Sequence, residues 1–289
     1  YAYRSSLIAE HVRIDGGFGG VQSYESELTL SNSEISNIAN QAVYIYANNS
    51  SQRIKPVLLN NYIHHNAYGV YVNYNYADIT LNDNRIENNA EYGLYINHSA
   101  NLESFKRNII INNKRAVRLP FSLLPSTADA NQLLPNTESV LVATGGTLTR
   151  NVIFDKTLAD VIYTPAAVTI ASGGQLVLKP GVVVKIGGLY AFTNNGSLNV
   201  SGDADNKVIF TSYRDDSAGG DSNNDGPTIG QPGDWNYLQF NDSTTDALTK
   251  LSHVEVRYAG RSTASIYISS ANITIENSRI ADGNSYGIY

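Results

Sequence analysis

One short unit recurs through the first part of the chain and restricts the fold more than any other feature. Asn61-Tyr62-Ile63-His64-His65-Asn66-Ala67-Tyr68-Gly69-Val70-Tyr71-Val72 is repeated as Asn84-Arg85-Ile86-Glu87-Asn88-Asn89-Ala90-Glu91-Tyr92-Gly93-Leu94-Tyr95-Ile96. A third copy runs from Asn108 through Ile110 and Asn113 to Val117 and Leu119, and an earlier one carries Ile35 and Val43-Tyr44-Ile45. The central isoleucine stands at 35, 63, 86 and 110, in steps of 28, 23 and 24 residues. Five residues before it stands another apolar side chain: Leu30, Leu58, Leu81 or Phe105.

Inside each copy the apolar residues alternate. Val70, Leu94 and Val117 share a side with Val72, Ile96 and Leu119, while Tyr71 and Tyr95 face the other way, which is the period of a strand with one buried face. Each strand is short and is followed by Asn, Gly or Ser, which form turns. Parallel strands in a doubly wound sheet need helical crossovers, and these copies show no helical period. The unit therefore predicts a solenoid, with one repeat per coil and equivalent strands stacked about 4.8 Å apart. Equivalent residues then form ladders: Ile35, Ile63, Ile86 and Ile110 inside; Asn66, Asn89 and Asn113 at a turn; Tyr44, Tyr71 and Tyr95 outside, with Arg118 in the next place. Tyr68 and Tyr92 form a second outer pair.

The N-x-I-x-x-N…Y-G-[VL]-Y unit resembles the right-handed parallel β-helix repeat of the pectate-lyase-like superfamily, most nearly the tandem β-helix modules of large secreted bacterial surface proteins. The resemblance covers residues 30–119 and returns at 250–289. It implies an all-β, right-handed parallel β-helix with coils of about 23–28 residues, but no single activity, because this fold hosts lyases, hydrolases, epimerases, adhesins and structural proteins.

Residues 1–119 are read as coils from the late part of one module. Residues 120–165, with Pro120, Pro125, Pro135 and Pro165, are read as an irregular connector, coil or hinge. Residues 166–289 are read as coils opening a next module, with a polar insertion loop at 213–234. A longer repeat overlies the short one. His253-Val254-Glu255-Val256 echoes His11-Val12-Arg13-Ile14, and the run from Ile275 to Ile280 echoes Leu30 to Ile35, at offsets of 242 and 245 residues. Tyr1 and Tyr289 both fall where further coils are expected. The chain is accordingly expected to belong to a tandem array or an end-to-end assembly, its partners being copies of itself or adjacent modules.

Composition removes several functional classes. The chain has 289 residues, 20 Lys+Arg against 26 Asp+Glu, and 42% hydrophobic against 16% charged residues, which does not describe a disordered chain. It is mildly acidic without a basic block, so no nucleic-acid partner is expected. No apolar run approaches a membrane span, so no membrane insertion is expected. There is no Cys, hence no disulfide, thiolate metal site or Cys nucleophile. Abundant Asn, Ser, Gly, Thr and Tyr without Cys suits an extracellular or cell-surface protein.

Three groups of residues are candidates for chemistry. Asp221-Ser222-Asn223-Asn224-Asp225-Gly226 matches the first half of a D-x-[DN]-x-[DN]-G calcium loop, in which hard oxygens at alternate positions surround Ca²⁺. Pro232 stands where the bidentate Glu belongs, so this is not an EF-hand. Asp216 is expected to complete the set Asp221, Asn223 and Asp225, with Asp215 and Asp234 as alternatives, and the ion is expected to be structural. His64, His65 and Glu87 are the candidate acid/base group, since the alignment places Glu87 one coil from His64. No acidic calcium cluster accompanies them, and a polar turn between strands is the preferred reading of these residues. Tyr44, Tyr71 and Tyr95 form an outer aromatic stripe suited to stacking on sugar rings or packing against another chain.

Two functions compete. One is an extracellular structural or adhesive repeat module of a fibre, sheath or surface protein. The other is a secreted polysaccharide lyase, epimerase or carbohydrate-binding β-helix. The long repeat and the lack of a catalytic constellation favour the first.

Overall fold

The computed structural model describes residues 2–97 and 100–289; Tyr1, named above as one end, lies outside them. The fold is an all-β parallel β-solenoid with coils averaging about 24 residues, in two compact units, Tyr1–Ser139 and Val140–Tyr289. Among the described residues the only helical elements are three short 3-10 turns.

In the first unit three parallel sheets form the walls of the coil. One holds Val21–Tyr24, Gln41–Tyr46, Tyr68–Asn73, Tyr92–Ile96 and Arg115–Leu119. The second holds Glu27–Ser31, Val57–Leu59, Asp78–Asn82 and Asn101–Lys106, and the third holds Glu34–Ser36, Tyr62–His64, Arg85–Glu87 and Ile109–Ile111. The registers match the repeat: Ile35 pairs with Ile63, Ile63 with Ile86, and Ile86 with Ile110. Leu30, Leu58, Leu81 and Phe105 are likewise in register. All four isoleucines are fully buried, as are Val70, Val72, Leu94, Ile96, Val117 and Leu119.

Two corners of each coil are built by the same device. A residue in the left-handed region turns the chain, and the next side chain goes inside. At the corner before the third sheet the turning residues are Asn32, Asn60, Asp83 and Arg107, with φ between 50 and 60°. At the corner after it they are Asn37, His65, Asn88 and Asn112, with φ of 55–56°. Asn tolerates this region better than other non-glycine residues, which explains its abundance here. The buried followers are Ser33, Asn61, Asn84 and Asn108 at the first corner, and Ile38, Asn66, Asn89 and Asn113 at the second; Asn131, buried after the left-handed Ala130, and the half-buried Asn136 end the two asparagine ladders. Each ladder amide before Asn131 and Asn136 donates to the side-chain oxygen of the next coil, as Asn61 does to Asn84 (2.9 Å) and Asn89 does to Asn113 (2.8 Å). Most also donate to a backbone carbonyl of the preceding coil, as Asn61 does to Leu30 and Asn113 does to Ile86. An amide inside an apolar coil is stable only with its hydrogen bonds satisfied, and these ladders satisfy them between coils.

The glycine of the Tyr-Gly-x-Tyr unit has a packing reason. A Cβ at Gly69 would lie well inside contact distance of the Gly93 carbonyl and the Ile86 side chain, and one at Gly93 would strike Ile110.

Residues 120–139 complete the last coil of the first unit, with Asn131 and Asn136 as the final rungs of the ladders. In the second unit the sheets start at Val140–Ala143, Gly146–Leu148 and Asn151–Phe154, so residues 140–165 are already coil. Strands then follow at Val161–Thr164, Val168–Ile170, Gln175–Leu178 and Val183–Ile186. The 213–234 loop lengthens one coil, so that Ile209 pairs with Glu255, while the next step is Glu255 to Arg279. Trp235 lies fully buried just before Leu238–Phe240, with Nε1 donating to the Arg257 carbonyl at 2.8 Å. A tryptophan must bury its ring and pair its N–H, and the turn leading into the strand supplies both.

Candidate functional site

The tyrosine stripe is a continuous face of the first unit. Tyr71 is in register with Tyr44 on one side and Tyr95 on the other. The Tyr71 and Tyr95 rings stack at 4.5 Å and 9°, and the Tyr44 and Tyr71 centroids are 5.8 Å apart. The Arg118 guanidinium sits over Tyr95 at 5.2 Å, in the next place of the ladder. Tyr68 and Tyr92 run parallel at 6.5 Å and meet the ladder edge-on. Sequence reading missed the extension of this face by Tyr24, Tyr46 and Tyr74, which lie outside the Tyr-Gly-x-Tyr unit. Alternation along Val43-Tyr44-Ile45-Tyr46 was the available signal.

All these rings are half-buried against one another. Burial, reinforced by the neighbouring Tyr95, Tyr44 and Tyr68, pushes the Tyr71 phenol up to about 12. A groove of about 430 Å³ opens along the stripe, where Tyr24, Tyr44 and Tyr71 meet the amides of Gln22, Gln41 and Asn73. Flat apolar rings beside amide donors and acceptors are suited to a ligand with both C–H faces and hydroxyls.

His64, His65 and Glu87 come together on the third sheet, with His64 in register with Glu87. They are not one hydrogen-bonded group. Glu87 is buried; its carboxylate accepts from the Tyr62 hydroxyl at 2.7 Å and pairs with Arg85 at 2.5 Å. Burial works to raise its pKa, but these two donors outweigh it and hold the carboxyl below its usual range. His64 instead faces Glu34, with Nε2 and Oε1 3.3 Å apart, and its Nδ1 lies 2.7 Å from Nδ1 of His65. The Tyr62 ring stacks on His64 at 4.0 Å. Glu34 was not anticipated, because it lies two coils from Glu87 in sequence order and pairs in register with Tyr62. Of the nearby cations, Arg107 is bound to Asp83 at 2.6 Å.

In the 213–234 loop the acidic residues mostly serve the loop itself. The Asp221 carboxylate accepts the backbone N–H of Asn224 (2.7 Å) and of Gly226 (3.0 Å). Burial raises its pKa, yet these backbone donors prevail and lower it. Asp216 accepts the Thr228 N–H at 2.6 Å, and Asp234 accepts the Ser212 hydroxyl at 2.6 Å. Asp215 is fully buried, taking the Thr211 hydroxyl at 2.6 Å and facing Arg257 at 3.3 Å. Asp225 is exposed. Lys185 was overlooked, since it stands in an apolar run. Its side chain is fully buried beneath the loop, where it donates to the Gly220 carbonyl and lies 3.7 Å from Asp216. Burial pulls its pKa down, while Asp216, Asp215 and Asp221 oppose the shift. Among the described residues, no three His, Asp or Glu side chains are arranged to hold a metal ion. No helix among them is long and apolar enough to cross a membrane.

The long repeat is repeated in backbone and hydrogen bonds. His11 and His253 both have φ of 53°, and Asn32 and Asn277 both have φ of 50°. Val12 N–H donates to Ser33 Oγ at 3.2 Å, and Val254 N–H donates to Ser278 Oγ at 3.1 Å. Each serine in turn donates to the carbonyl two residues before it, at 2.7 Å in both places.

A family model described as a right handed beta helix region matches residues 1–204. No curated protein and no solved structure matches the chain. Most of the sequence falls within that match, the parallel coils and their registers agree with it, and the chain therefore belongs to the right-handed β-helix family.

Proposed function

We propose that this chain is a structural, contact-making module of an extracellular or cell-surface fibre, sheath or adhesin, built from tandem β-helix repeats. The recurrence of one corner, with the same dihedrals and the same serine hydrogen bonds, carries this reading. A unit that recurs at such spacing suits a protein that works through length and stiffness, stacking equivalent coils end to end with copies of itself or adjacent modules. The tyrosine face around Tyr44, Tyr71 and Tyr95 is the lateral contact surface in this reading. Negative-stain electron microscopy of the purified protein tests it. Long fibres with a regular axial spacing support assembly; isolated short rods at high concentration count against it.

The second reading, a secreted lyase, epimerase or carbohydrate-binding module, draws on the groove that combines Tyr24, Tyr44 and Tyr71 with amides. Incubation with pectate, alginate and related polymers, followed at the absorbance of the unsaturated product, separates lyase action from binding. Activity lost in His64→Ala would make the enzymatic reading primary.

Calcium enters as a structural ion of the loop, with Asp216, Asp221, Asn223 and Asp225 drawn together around it on binding, since the three carboxylates are not gathered beforehand. Its support is that Asp216 Oδ1 and Asn223 Oδ1 are both buried without a hydrogen-bond partner.

A further inference from the structure

The internal repeat makes one coil stand out. At the corner after the third sheet the turning residue is Asn37, Asn88 or Asn112 in the neighbouring coils, and His65 in this one. At the preceding position the register partners are Ser36 and Glu87, and His64 stands between them. Two imidazoles thus replace other residues side by side in a single coil.

Their geometry is convergent. The two Nδ1 atoms are 2.7 Å apart, and the ring planes are nearly perpendicular at 86°. His64 is held from two further directions, by the stacked Tyr62 ring and by Glu34 on Nε2. With Nε2–H donating to Glu34, the His64 Nδ1 carries its lone pair outward, as in the carboxylate–histidine arrangement behind metal sites. His65 is exposed. Asp15, Glu34 and Glu87 make the surroundings attractive to a cation, although Arg13 and Arg85 offset part of that charge.

We propose that His64 Nδ1 and His65 Nδ1 chelate one divalent late first-row metal ion, with water completing the coordination, and that Glu34 is the positioning residue. On binding, the proton on His65 Nδ1 moves to its solvent-facing Nε2, so no proton is released. An ion about 2.0 Å from both nitrogens would subtend about 85° at their present separation. That angle fits the cis positions of a tetragonal Cu²⁺ or Ni²⁺ site; a tetrahedral Zn²⁺ site would need the nitrogens about 3.3 Å apart. Cu²⁺ is the ion of choice, being also the strongest binder in the divalent series. Two imidazoles without a third protein ligand agree with the absence of a larger metal-binding cluster among the described residues.

The test is a titration of the full chain with Cu²⁺ in a weakly competing buffer at neutral pH, read by calorimetry and electron paramagnetic resonance. The expected result is one equivalent bound, with hyperfine coupling from two imidazole nitrogens. His65→Asn and His64→Ser should each abolish it, and both install a residue that a neighbouring coil already carries, so folding is preserved. Glu34→Gln should weaken binding by about ten- to a hundredfold while leaving the two-nitrogen signature intact. Replacing His11, His98 and His253 together by Asn should leave the site unchanged. Binding that survives His65→Asn, a one-nitrogen spectrum, or no binding at micromolar Cu²⁺ would each overturn the proposal.

Discussion

Asn66 gives two hydrogen bonds to a single atom of Asn89. Its side-chain amide and its backbone N–H both reach Asn89 Oδ1 at 3.0 Å, and the same amide reaches back to the Ile35 carbonyl at 3.3 Å. Asn89 repeats the pattern with Asn113. Replacing Asn89 by Ala strands the donors of Asn66 in a buried place, at about 1–3 kcal/mol for each unsatisfied group. We expect Asn89→Ala to lower the unfolding free energy measured in urea clearly, and Asn88→Gly at the adjacent exposed turn to change it by about a few tenths of a kcal/mol at most.

The close approach at the glycines gives a second expectation. Gly93→Ala forces a methyl against Ile110, and overpacking of this kind costs about 1–3 kcal/mol. Differential scanning calorimetry of Gly93→Ala against Gly17→Ala, where nothing lies within 4 Å, separates packing from backbone conformation. The loss at Gly93 should come from packing, since its φ is not in the left-handed region, while any loss at Gly17, with φ of 113°, is conformational.

The tyrosine ladder predicts an alkaline limit. The Tyr71 phenol is raised from 10.0 to about 12 on folding, chiefly by burial. Below pH 10 both folded and unfolded states keep the proton, and the full contribution is present. Between 10 and about 12 the unfolded chain ionises first, so stability falls as pH rises. Ultraviolet titration should show a tyrosine ionising late in wild type, and that late step should be missing in Tyr71→Phe.

Acid has the opposite sign. Glu87 and Glu255 are both buried carboxylates; burial acts to raise them, but Arg85 and Tyr62, and Arg257 and Arg279, hold them low. Their contribution is present above the ordinary carboxylate range and is lost as pH falls through the depressed values. Glu87→Gln should therefore flatten the acid limb of the stability curve, measured as urea midpoint against pH.

The loop makes a competition measurable. A calcium ion on Asp216, Asp221, Asn223 and Asp225 predicts a lower Tm in EGTA. An unchanged melting curve would leave Lys185 as the cation that neutralises this loop. Lys185→Met then decides how much that neutralisation matters, because Met keeps the buried stem without the ammonium.

The first unit was readable from the chain because a solenoid turns identity into geometry. Ile35, Ile63, Ile86 and Ile110 are alike because they occupy one place in successive coils, and the same holds for Tyr44, Tyr71 and Tyr95. The alignment therefore predicted the pairing of His64 with Glu87. It did not predict the partners these residues choose, since Glu34 reaches His64 diagonally and Tyr62 intercepts Glu87. Lys185 was hidden for a different reason. Its strand, Val183–Ile186, is buried on both faces, because the outward side is roofed by residues more than thirty positions away. The corners in the earlier coils of the second unit are built with Gly turns at 145, 173 and 181 in place of the Asn pairs, so those coils carry no comparable signature, which returns only at His253, Asn277 and Asp282.

The asparagine ladders run in one direction. Every rung before the last, Asn131 and Asn136, offers donors to the coil that follows and an acceptor to the coil before. A coil with these two corners is therefore interchangeable with its neighbours, as a link is in a chain. Adding or removing a whole link leaves every remaining donor facing an acceptor of the same kind. Length in such a protein is a quantity set by counting, and it can change during evolution or in the laboratory without a new solution for the core.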